Sequence, residues 1–193
     1  MDMDLAPYDA VLFDWDGTVV DSQPLNYRCL REVLAPRGIV LDRDWYRERI
    51  GTSTDDLLVQ LGVEDPLAEI LDACRFLIAG RLSGLSVHAP VSAMLGRARA
   101  QGRMCAVASG GAGVIVRAAI GAVGLEGAFD VVVTREDAAR GKPAPDLFLE
   151  AARRLGVPPG RCLVVEDAEE GLAAARAAGM DALDVSPWVT SAW

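Results

Sequence analysis

Apolar residues along the chain fall into two alternating patterns, which are short continuous runs and longer helical stretches. Short runs bounded by polar residues are typical of strands that are buried on both faces of a sheet. They are residues 9–14 (DAVLFD), 104–109 (MCAVAS), 130–133 (DVVV), 162–167 (CLVVED) and, more weakly, 181–185 (DALDV). Their alternation with helices predicts an α/β fold, with a Rossmann-like parallel sheet of about five strands and helices on both faces.

Three stretches between these runs have helical patterning with recognisable ends. The first opens near Pro90 and closes at Gly102, the second opens with Pro145 and stops at Gly156, and the third ends at Gly179. Proline is tolerated in the first helical turn because its missing N–H has no partner there, and glycine commonly follows the last turn. We therefore predict helices at these places.

One long interval interrupts the alternation of strands and helices. Residues 22–87 have helical patterning and no convincing strand, and they are too many for a simple crossover between two strands. The clearest helices of this interval are predicted at LNYRCLREVLAPRG and PLAEILDACRFLIAGRL. Asp65 and Pro66 are predicted to supply the N-cap and the first-turn proline of the second of these helices. We predict an inserted all-α helical cap over 22–87 and an α/β core formed by 1–21 and 88–193.

Composition and charge narrow the class of protein. Hydrophobic residues make up 51% and charged residues 24% of the 193 positions, which is typical of a globular protein with an ample core. The formal net charge of −9 argues against nucleic acid as a partner. No apolar run approaches the ~20 residues needed to span a bilayer, so no membrane partner is expected. The sequence leaves the oligomeric state open and is compatible with a monomer.

The four cysteines are widely separated and form no C-x-x-C pair. Cys29, Cys74, Cys105 and Cys162 each lie in an apolar context, which favours reduced thiols in the core over a metal site or disulfides. The N-terminus is acidic and has no apolar signal region. Together these features predict a cytoplasmic protein.

Polar residues that could take part in catalysis or ligand binding follow the predicted strands at the point where each strand ends. They are Asp14 and Asp16 after the first strand, Ser109 and Gly110 after the second, Lys142 in the loop beyond the third, and Glu166 and Asp167 after the fourth. Ligands of open parallel sheets bind beyond the carboxyl ends of the strands. We therefore expect these residues to converge on one edge of the sheet.

Carboxylates gathered in one place need a cation between them. At an effective dielectric constant near 20, two like charges about 4 Å apart repel by roughly 4 kcal/mol. Oxygen ligands suit a hard divalent ion, and Mg²⁺ keeps several waters beside a few carboxylates. The predicted ligands are Asp14, Asp16, Glu166 and Asp167, with Mg²⁺ as the cofactor.

The remaining residues at this edge favour phosphoryl transfer. Asp14 could present one oxygen to the metal and the other to an electrophile, and Asp16 could reach the same region after the turn at Gly17. Lys142 and Ser109 would hold an anion that faces Asp14. A nucleophile, an acid/base, a metal and an anion site together describe phosphoryl transfer through an aspartyl-phosphate.

Four segments of the sequence resemble, in order, the four motifs of the haloacid dehalogenase superfamily. These segments are DWDGTVVDS, the Ser of CAVASG, the Lys of GKPAPDLF and the acidic pair of VVEDAEEGLAAARAAGM. The helical insertion resembles the C1-type cap of that superfamily. The resemblance runs from about Tyr8 to Val185 and is strongest to sugar-phosphate phosphatases and β-phosphoglucomutases, in particular to fructose-1-phosphate phosphatase-like members.

This resemblance implies a role for each acidic residue. Asp14 would be the nucleophile and a metal ligand. Asp16 would protonate the leaving group, then activate water, and would give its backbone carbonyl to the metal. Asp167 would ligate Mg²⁺, and Glu166 would be a further ligand or would support one. Taken without the resemblance, Glu166 and Asp167 could equally cap the following helix.

The resemblance also implies a phosphate site and a substrate-facing cap. Ser109 and Lys142 would bind the transferring phosphoryl group, with N–H groups of Trp15 and Gly110 beside them. The Lys142–Pro143 bond is a candidate for the cis form. Cap closure would bring further residues to a small phosphorylated metabolite. These are Gln23, Asn26, Tyr27, Thr52 and Thr54.

Three functions remain open from the sequence. The first is a Mg²⁺-dependent phosphatase of small phosphate monoesters, such as sugar phosphates. The second is a β-phosphoglucomutase-like mutase, which is weakened because Asn26 and Thr54 stand where those mutases have histidine and arginine. The third is a non-catalytic phosphate-binding module. A dehalogenase is disfavoured because it would lack the acid/base Asp16. Asn26 also departs from the fructose-1-phosphate phosphatase-like members.

Overall fold

A computed structural model describes residues 3–50, 52–63 and 66–191. Within these residues it contains one parallel sheet of five strands in the order β3-β2-β1-β4-β5. The strands are β1 (Ala10–Phe13), β2 (Met104–Ala108), β3 (Val131–Val133), β4 (Cys162–Glu166) and β5 (Asp181–Asp184). Each strand lies inside the apolar run that predicts it, so the predicted α/β fold class is confirmed.

Eight α-helices are formed by the described part of the chain. They are α1 (Gln23–Leu34), α2 (Arg43–Arg47), α3 (Thr54–Gln60), α4 (Leu67–Ala79), α5 (Ala89–Ala100), α6 (Gly113–Ala122), α7 (Asp146–Leu155) and α8 (Glu169–Ala177). The first four lie in the predicted insertion, and the other four alternate with the strands. None of the described helices has both the length and the apolar content needed to cross a lipid bilayer.

The central strand β1 shows why the apolar runs are continuous. Val11 and Phe13 pack in a hydrophobic cluster with residues of α5 and α6, whereas Ala10 and Leu12 pack in a second cluster with residues of α7 and α8. Alternate side chains of a strand point to opposite faces, so a sheet covered on both faces needs apolar residues at every position. The four cysteines are buried and free, as predicted.

The helices of the insertion have a hydrophobic cluster of their own. It includes Tyr27 and Leu34 of α1, Leu58 of α3 and Ile70 of α4. The chain enters and leaves the insertion through two segments that lie side by side, since Val20 pairs with residue 87 in an antiparallel bridge. The division into a cap (22–87) and a core (1–21 and 88–193) stays a prediction.

Some local features differ from the sequence expectations. Helices α2, α3 and α6 were not predicted individually, and α6 begins after Ala112 without a side-chain cap. In contrast, α2 and α3 are short helices with side-chain N-caps, because Asp42 accepts from the Trp45 N–H and Ser53 accepts from the Asp56 N–H. Pro66 is the N-cap of α4 rather than a first-turn residue. Asp65, the predicted N-cap, lies outside the described residues.

Candidate active site

Asp14 stands directly beyond β1, where the strand ladder holds it in place. Its backbone N–H donates to the Val165 carbonyl at 3.0 Å, and the residue is only 6% exposed. The Lys142 Nζ donates to Asp14 Oδ1 and, at 2.7 Å, to Glu166 Oε2. Lys142 therefore contacts both Asp14, at the end of the first strand, and Glu166, at the end of the fourth strand. The Lys142–Pro143 bond is cis.

Asp14, Glu166 and Asp167 form a compact acidic cluster. Each offers a carboxylate oxygen, and these oxygens lie within 4.8 Å of one another. Burial raises the pKa of Glu166 and of Asp167, and the charge of Asp14 raises both further. Burial alone would lower the pKa of Lys142, but the charges of Asp14 and Glu166 raise it above its ordinary value. One lysine thus faces three carboxylates.

This donor set fits a hard divalent cation. The cluster places three carboxylates against one ammonium group, so a net negative charge is left in a region where burial makes charge costly. Carboxylate oxygens are the ligands that Mg²⁺ prefers. The Thr18 hydroxyl donates to Asp167 Oδ1 at 2.6 Å and fixes the orientation of that side chain. The geometry is therefore suitable for a divalent ion.

Two glycines make room for the carboxylates. A Cβ on Gly17 would lie 2.6 Å from Asp167 Oδ2, and a φ of +97° also disfavours any other residue there. A Cβ on Gly171 of α8 would lie 1.9 Å from Glu166 Oε2. The acidic cluster thus depends on the absence of side chains at both positions.

Asp16 is held apart from the acidic cluster by two hydroxyl groups. Ser22 donates to Asp16 Oδ1 at 2.7 Å, and Ser109 donates to Asp16 Oδ2 at 3.4 Å. Burial raises the pKa of Asp16, the Ser22 hydrogen bond opposes this, and the charge of Asp14 adds to it. A carboxyl with a raised pKa, beside the Asp14 nucleophile candidate, suits proton transfer. The carboxylate of Asp16 lies outside the acidic cluster of Asp14, Glu166 and Asp167.

Donor groups at the ends of β1 and β2 are available for an anion. Within the described residues, the backbone N–H groups of Trp15 and Gly110 donate to no protein acceptor. Ser109 is fully buried, and its hydroxyl oxygen accepts from the Gly111 N–H at 2.9 Å. A Cβ on Gly111 would lie 3.2 Å from Asp16 Oδ2, so a glycine here keeps the loop close to the carboxylates.

A cavity of about 300 Å³ connects these residues with the helical insertion. Asp14, Asp16 and Lys142 line it from the sheet. From the insertion, the predicted substrate residues Asn26, Thr52 and Thr54 line the same cavity, as does Gln23. The structure thus brings the residues predicted for chemistry together with four of those predicted to face the substrate, and their roles stay predictions. Tyr27 does not line the cavity, because it packs in the hydrophobic cluster of the insertion and its hydroxyl donates to the Leu41 carbonyl at 3.3 Å.

The alternative interpretation of the acidic pair, as a helix cap, does not hold for Asp167. Asp167 does not cap the following helix, because the N-cap of α8 is Ala168 and no side chain caps it. Instead, Asp167 is bound by Thr18, and Glu166 Oε1 accepts from the N–H groups of Asp167 and Ala168 at 3.1 Å. Glu166 and Asp167 thus stabilise the turn after β4 and also belong to the acidic cluster at the end of β1.

Comparison with known proteins identifies the family. Residues 8–179 match the family model of haloacid dehalogenase-like hydrolases. The chain belongs to this family. The prediction that it is an enzyme of this superfamily is therefore confirmed. It is similar to the fructose-1-phosphate phosphatase YqaB of Escherichia coli, with 37% identity over 186 residues that cover 92% of this chain and 96% of that protein.

Solved structures share the fold. CbbY from Rhodobacter sphaeroides in complex with phosphate has 28% identity and a TM-score of 0.81, covering 91% of this chain and 84% of that one. A β-phosphoglucomutase from Clostridium difficile has 20% identity and a TM-score of 0.82, covering 92% and 84%. The second likeness shows the fold alone. The branch of the superfamily predicted from the four motifs is supported by the E. coli fructose-1-phosphate phosphatase.

Proposed function

We propose that the protein is a Mg²⁺-dependent phosphatase that hydrolyses a small phosphate monoester through an aspartyl-phosphate on Asp14. The observation that carries the proposal is the contact of Lys142 with both Asp14 and Glu166, with Asp167 in the same cluster. A buried carboxylate at a strand end, with a cation beside it and free N–H donors nearby, is arranged to attack an anionic phosphorus centre.

The metal would be held by Asp14, Asp167 and Glu166, with the Asp16 carbonyl as a further oxygen ligand. When bound, Mg²⁺ supplies positive charge that lets a carboxylate approach a phosphate dianion and stabilises the charge of the transition state. Gly17 and Gly171 leave room for the ligand side chains.

The first half of the reaction transfers the phosphoryl group to the enzyme. An Asp14 oxygen forms a bond to phosphorus while the bond from phosphorus to the leaving oxygen breaks. Asp16 gives its proton to that oxygen, which leaves as an alcohol. Lys142 and the N–H groups of Trp15 and Gly110 hold the phosphoryl oxygens, and Ser109 supplies a further hydroxyl.

The second half releases inorganic phosphate. Asp16, now ionised, takes a proton from a water molecule as that water attacks phosphorus and the bond to Asp14 breaks. Ser22 and Ser109 keep the Asp16 carboxylate beside the reacting atoms through both halves. Unaided hydrolysis of phosphate monoesters is slow enough that accelerations up to about 10²¹ are known, so a dense cluster of charged groups suits the task.

The relatives support a phosphatase and a sugar phosphate or similar substrate. The E. coli relative is named a fructose-1-phosphate phosphatase, and the R. sphaeroides structure holds phosphate. A mutase is a weaker proposal because Asn26 and Thr54 replace the histidine and arginine expected of mutases, and both line the cavity. A cytoplasmic location stays a prediction.

The experiment is hydrolysis of an aryl phosphate by the purified protein, with Mg²⁺ and with excess chelator. We expect phosphate release that requires the metal and returns when Mg²⁺ is restored. Activity that is insensitive to chelation would contradict the proposal, as would the absence of turnover with Mg²⁺ present. Interconversion of hexose phosphates that depends on a bisphosphate activator would instead identify a mutase.

A further inference from the structure

The cavity has charges of opposite sign on the two sides of Asp14. In the sheet, β3 lies on one side of β1 and β4 lies on the other. Arg135 follows β3, Glu170 lies in the first turn of α8 after β4, and both line the cavity. A substrate bound at Asp14 therefore meets a guanidinium group on one side and a carboxylate on the other.

The β4 side of the cavity is acidic in both the core and the insertion. Asp55 of α3 lines the cavity with Glu170. Burial raises the pKa of Glu170, and the charge of Asp56, also in α3, raises it further, although Lys142 opposes this. Carboxylates in this position repel an anion, because like charges near a protein surface interact strongly over a few ångströms. An anionic group of a substrate is disfavoured on this side.

On the β3 side, Arg135 is attached to the loop that forms the phosphate site. Its backbone N–H donates to the Gly111 carbonyl at 3.1 Å. The Gly111 N–H in turn donates to Ser109 Oγ at 2.9 Å. The position of Arg135 is therefore fixed by the residues expected to bind the phosphoryl group.

Arg135 differs from the other arginines that line the cavity in the described part of the chain. Arg49 Nη1 donates to the Trp45 carbonyl at 2.9 Å, and Arg75 Nη1 donates to Asp72 at 2.8 Å. The Arg135 guanidinium makes no hydrogen bond or ion pair with any described residue. Among the described arginines that line the cavity, Arg135 is therefore the one whose guanidinium N–H groups are all available to a ligand.

The neighbouring carboxylate does not neutralise Arg135. Glu136 accepts from the Gly113 N–H and from the Thr134 hydroxyl, each at 3.0 Å. It also attracts Arg75 of the insertion, which lines the same cavity. Since Arg75 is also paired with Asp72, Arg135 is the cavity-lining guanidinium group on the β3 side that has no carboxylate partner among the described residues.

We propose that Arg135 is a specificity-determining residue that binds a second anionic group on the leaving group of the substrate. A guanidinium group offers a planar pair of donors that matches a carboxylate or a phosphate. The proposal rests on the proposed phosphatase function and narrows its substrate class to monoesters with a second anion, either a carboxylate or another phosphate.

The experiment compares kcat/KM for matched substrates. Glycerol 3-phosphate and 3-phosphoglycerate differ by one carboxylate, and propane-1,3-diol monophosphate and bisphosphate differ by one phosphate. We expect the wild type to prefer the member with the second anion in at least one pair, and Arg135→Gln to lower that preference about 10-fold or more. Arg135→Lys should retain part of it, since it keeps the charge and loses the planar fork.

The matched control is Arg117→Gln. Arg117 is an exposed residue of α6 that does not line the cavity, and its change removes the same charge from the β3 side. It should leave every ratio unaltered. Equal losses for both members of a pair in Arg135→Gln, or ratios that do not change, would overturn the proposal. Faster hydrolysis of O-phosphoethanolamine than of the doubly anionic substrates would also overturn it.

Failure of the phosphatase function would be distinguishable from failure of this proposal. If no monoester is hydrolysed, the proposed function is wrong. Calorimetric dissociation constants of the same pairs for the wild type and Arg135→Gln then decide the role of Arg135. The proposal is supported if the wild type binds the substrate with the second anion more tightly than its partner and Arg135→Gln loses this difference. It is contradicted if the wild type binds both members of each pair with equal affinity.

Discussion

The two walls of the cavity differ in how their polar side chains are bound. On the sheet side, Asp14, Asp16 and Lys142 each have a protein partner. On the side of the insertion, the side chains of Asn26 and Thr54 make no hydrogen bond with any described residue. The three catalytic side chains of the sheet wall are therefore arranged before a ligand arrives, whereas Asn26 and Thr54 of the insertion are left for a ligand.

This difference suits a division of labour. Phosphoryl transfer needs charges fixed in advance, because groups that must reorganise during the reaction stabilise the transition state less. Substrate choice needs groups that gain a partner only when the right ligand binds, since a buried polar group left unpaired is costly. The catalytic residues of the sheet wall would then serve every substrate, whereas Asn26 and Thr54 of the other wall, together with Arg135 beyond β3, would distinguish among substrates.

The largest effect expected on the sheet wall comes from Asp14→Asn. An amide oxygen is a poor nucleophile, so we expect a loss of turnover of about 10³-fold or more. Phosphate release from an aryl phosphate measures this, with circular dichroism as a check that the fold is kept. Asp184→Asn, at the end of β5 on the same sheet edge and outside the acidic cluster, is the control and should keep full activity. Turnover like the wild type in Asp14→Asn would refute the nucleophile assignment.

The next effect concerns the acid/base. Asp16→Asn should lower the steady-state rate by about 10²- to 10⁴-fold, which is the usual contribution of a positioned general acid or base. The reaction should stall at or before the aspartyl-phosphate. Rapid-quench experiments and intact-protein mass spectrometry would show whether a phosphorylated protein accumulates. An undiminished steady-state rate would show that Asp16 takes no part in proton transfer.

A smaller effect is expected on stability and its dependence on pH. The folded-state pKa values of Glu166 and Asp167 are raised, so the native state binds more protons than the unfolded state between the ordinary carboxyl pKa and the raised values. Metal-free protein should therefore lose stability as pH rises from about 4 toward 7. Mg²⁺ should reverse the loss, because it binds the ionised carboxylates.

Thermal unfolding across this pH range, with chelator and with Mg²⁺, is the measurement. Other carboxylates oppose the trend, since arginines lower the pKa of Glu150 and of Asp9. The Asp167→Asn variant separates the two contributions, because it removes one raised group and should flatten the fall. If the melting temperatures of the wild type and of Asp167→Asn, both with chelator, depended on pH in the same way, the acidic cluster would not control the pH dependence of stability.

The sequence predicted the parts of the site that depend on strand ends. Apolar runs locate β1, β2 and β4 within a residue or two, and parallel strands bring their carboxyl ends to one edge. Asp14, Lys142 and Asp167 could therefore be placed together without a structure. The hydrogen-bond partner of each carboxylate could not be placed in this way, because it depends on side-chain contacts.

The residues that sequence reasoning missed act through tertiary contacts. Thr18 binds Asp167 across 149 positions, and Gly171 is required by the side chain of Glu166. Ser22 lies six residues from Asp16, yet only the turn at Gly17 brings them together. A hydroxyl near a D-x-D pair and a glycine inside a helix are weak signals, because both also occur where no site is formed.

The smallest effect should come from the opposite wall, and it tests the comparison most directly. Asn26→Ala or Thr54→Ala removes at most one or two hydrogen bonds to a substrate, each worth about 1 kcal/mol net, so kcat/KM should change by roughly 5- to 30-fold. The change should differ among sugar phosphates and be smallest for an aryl phosphate, which lacks the hydroxyl groups. Gln101→Ala, at the exposed end of α5, is the control and should alter no substrate. Uniform losses across the panel would mean that this wall supports catalysis in general, and no loss for any substrate would mean that it does not contact them.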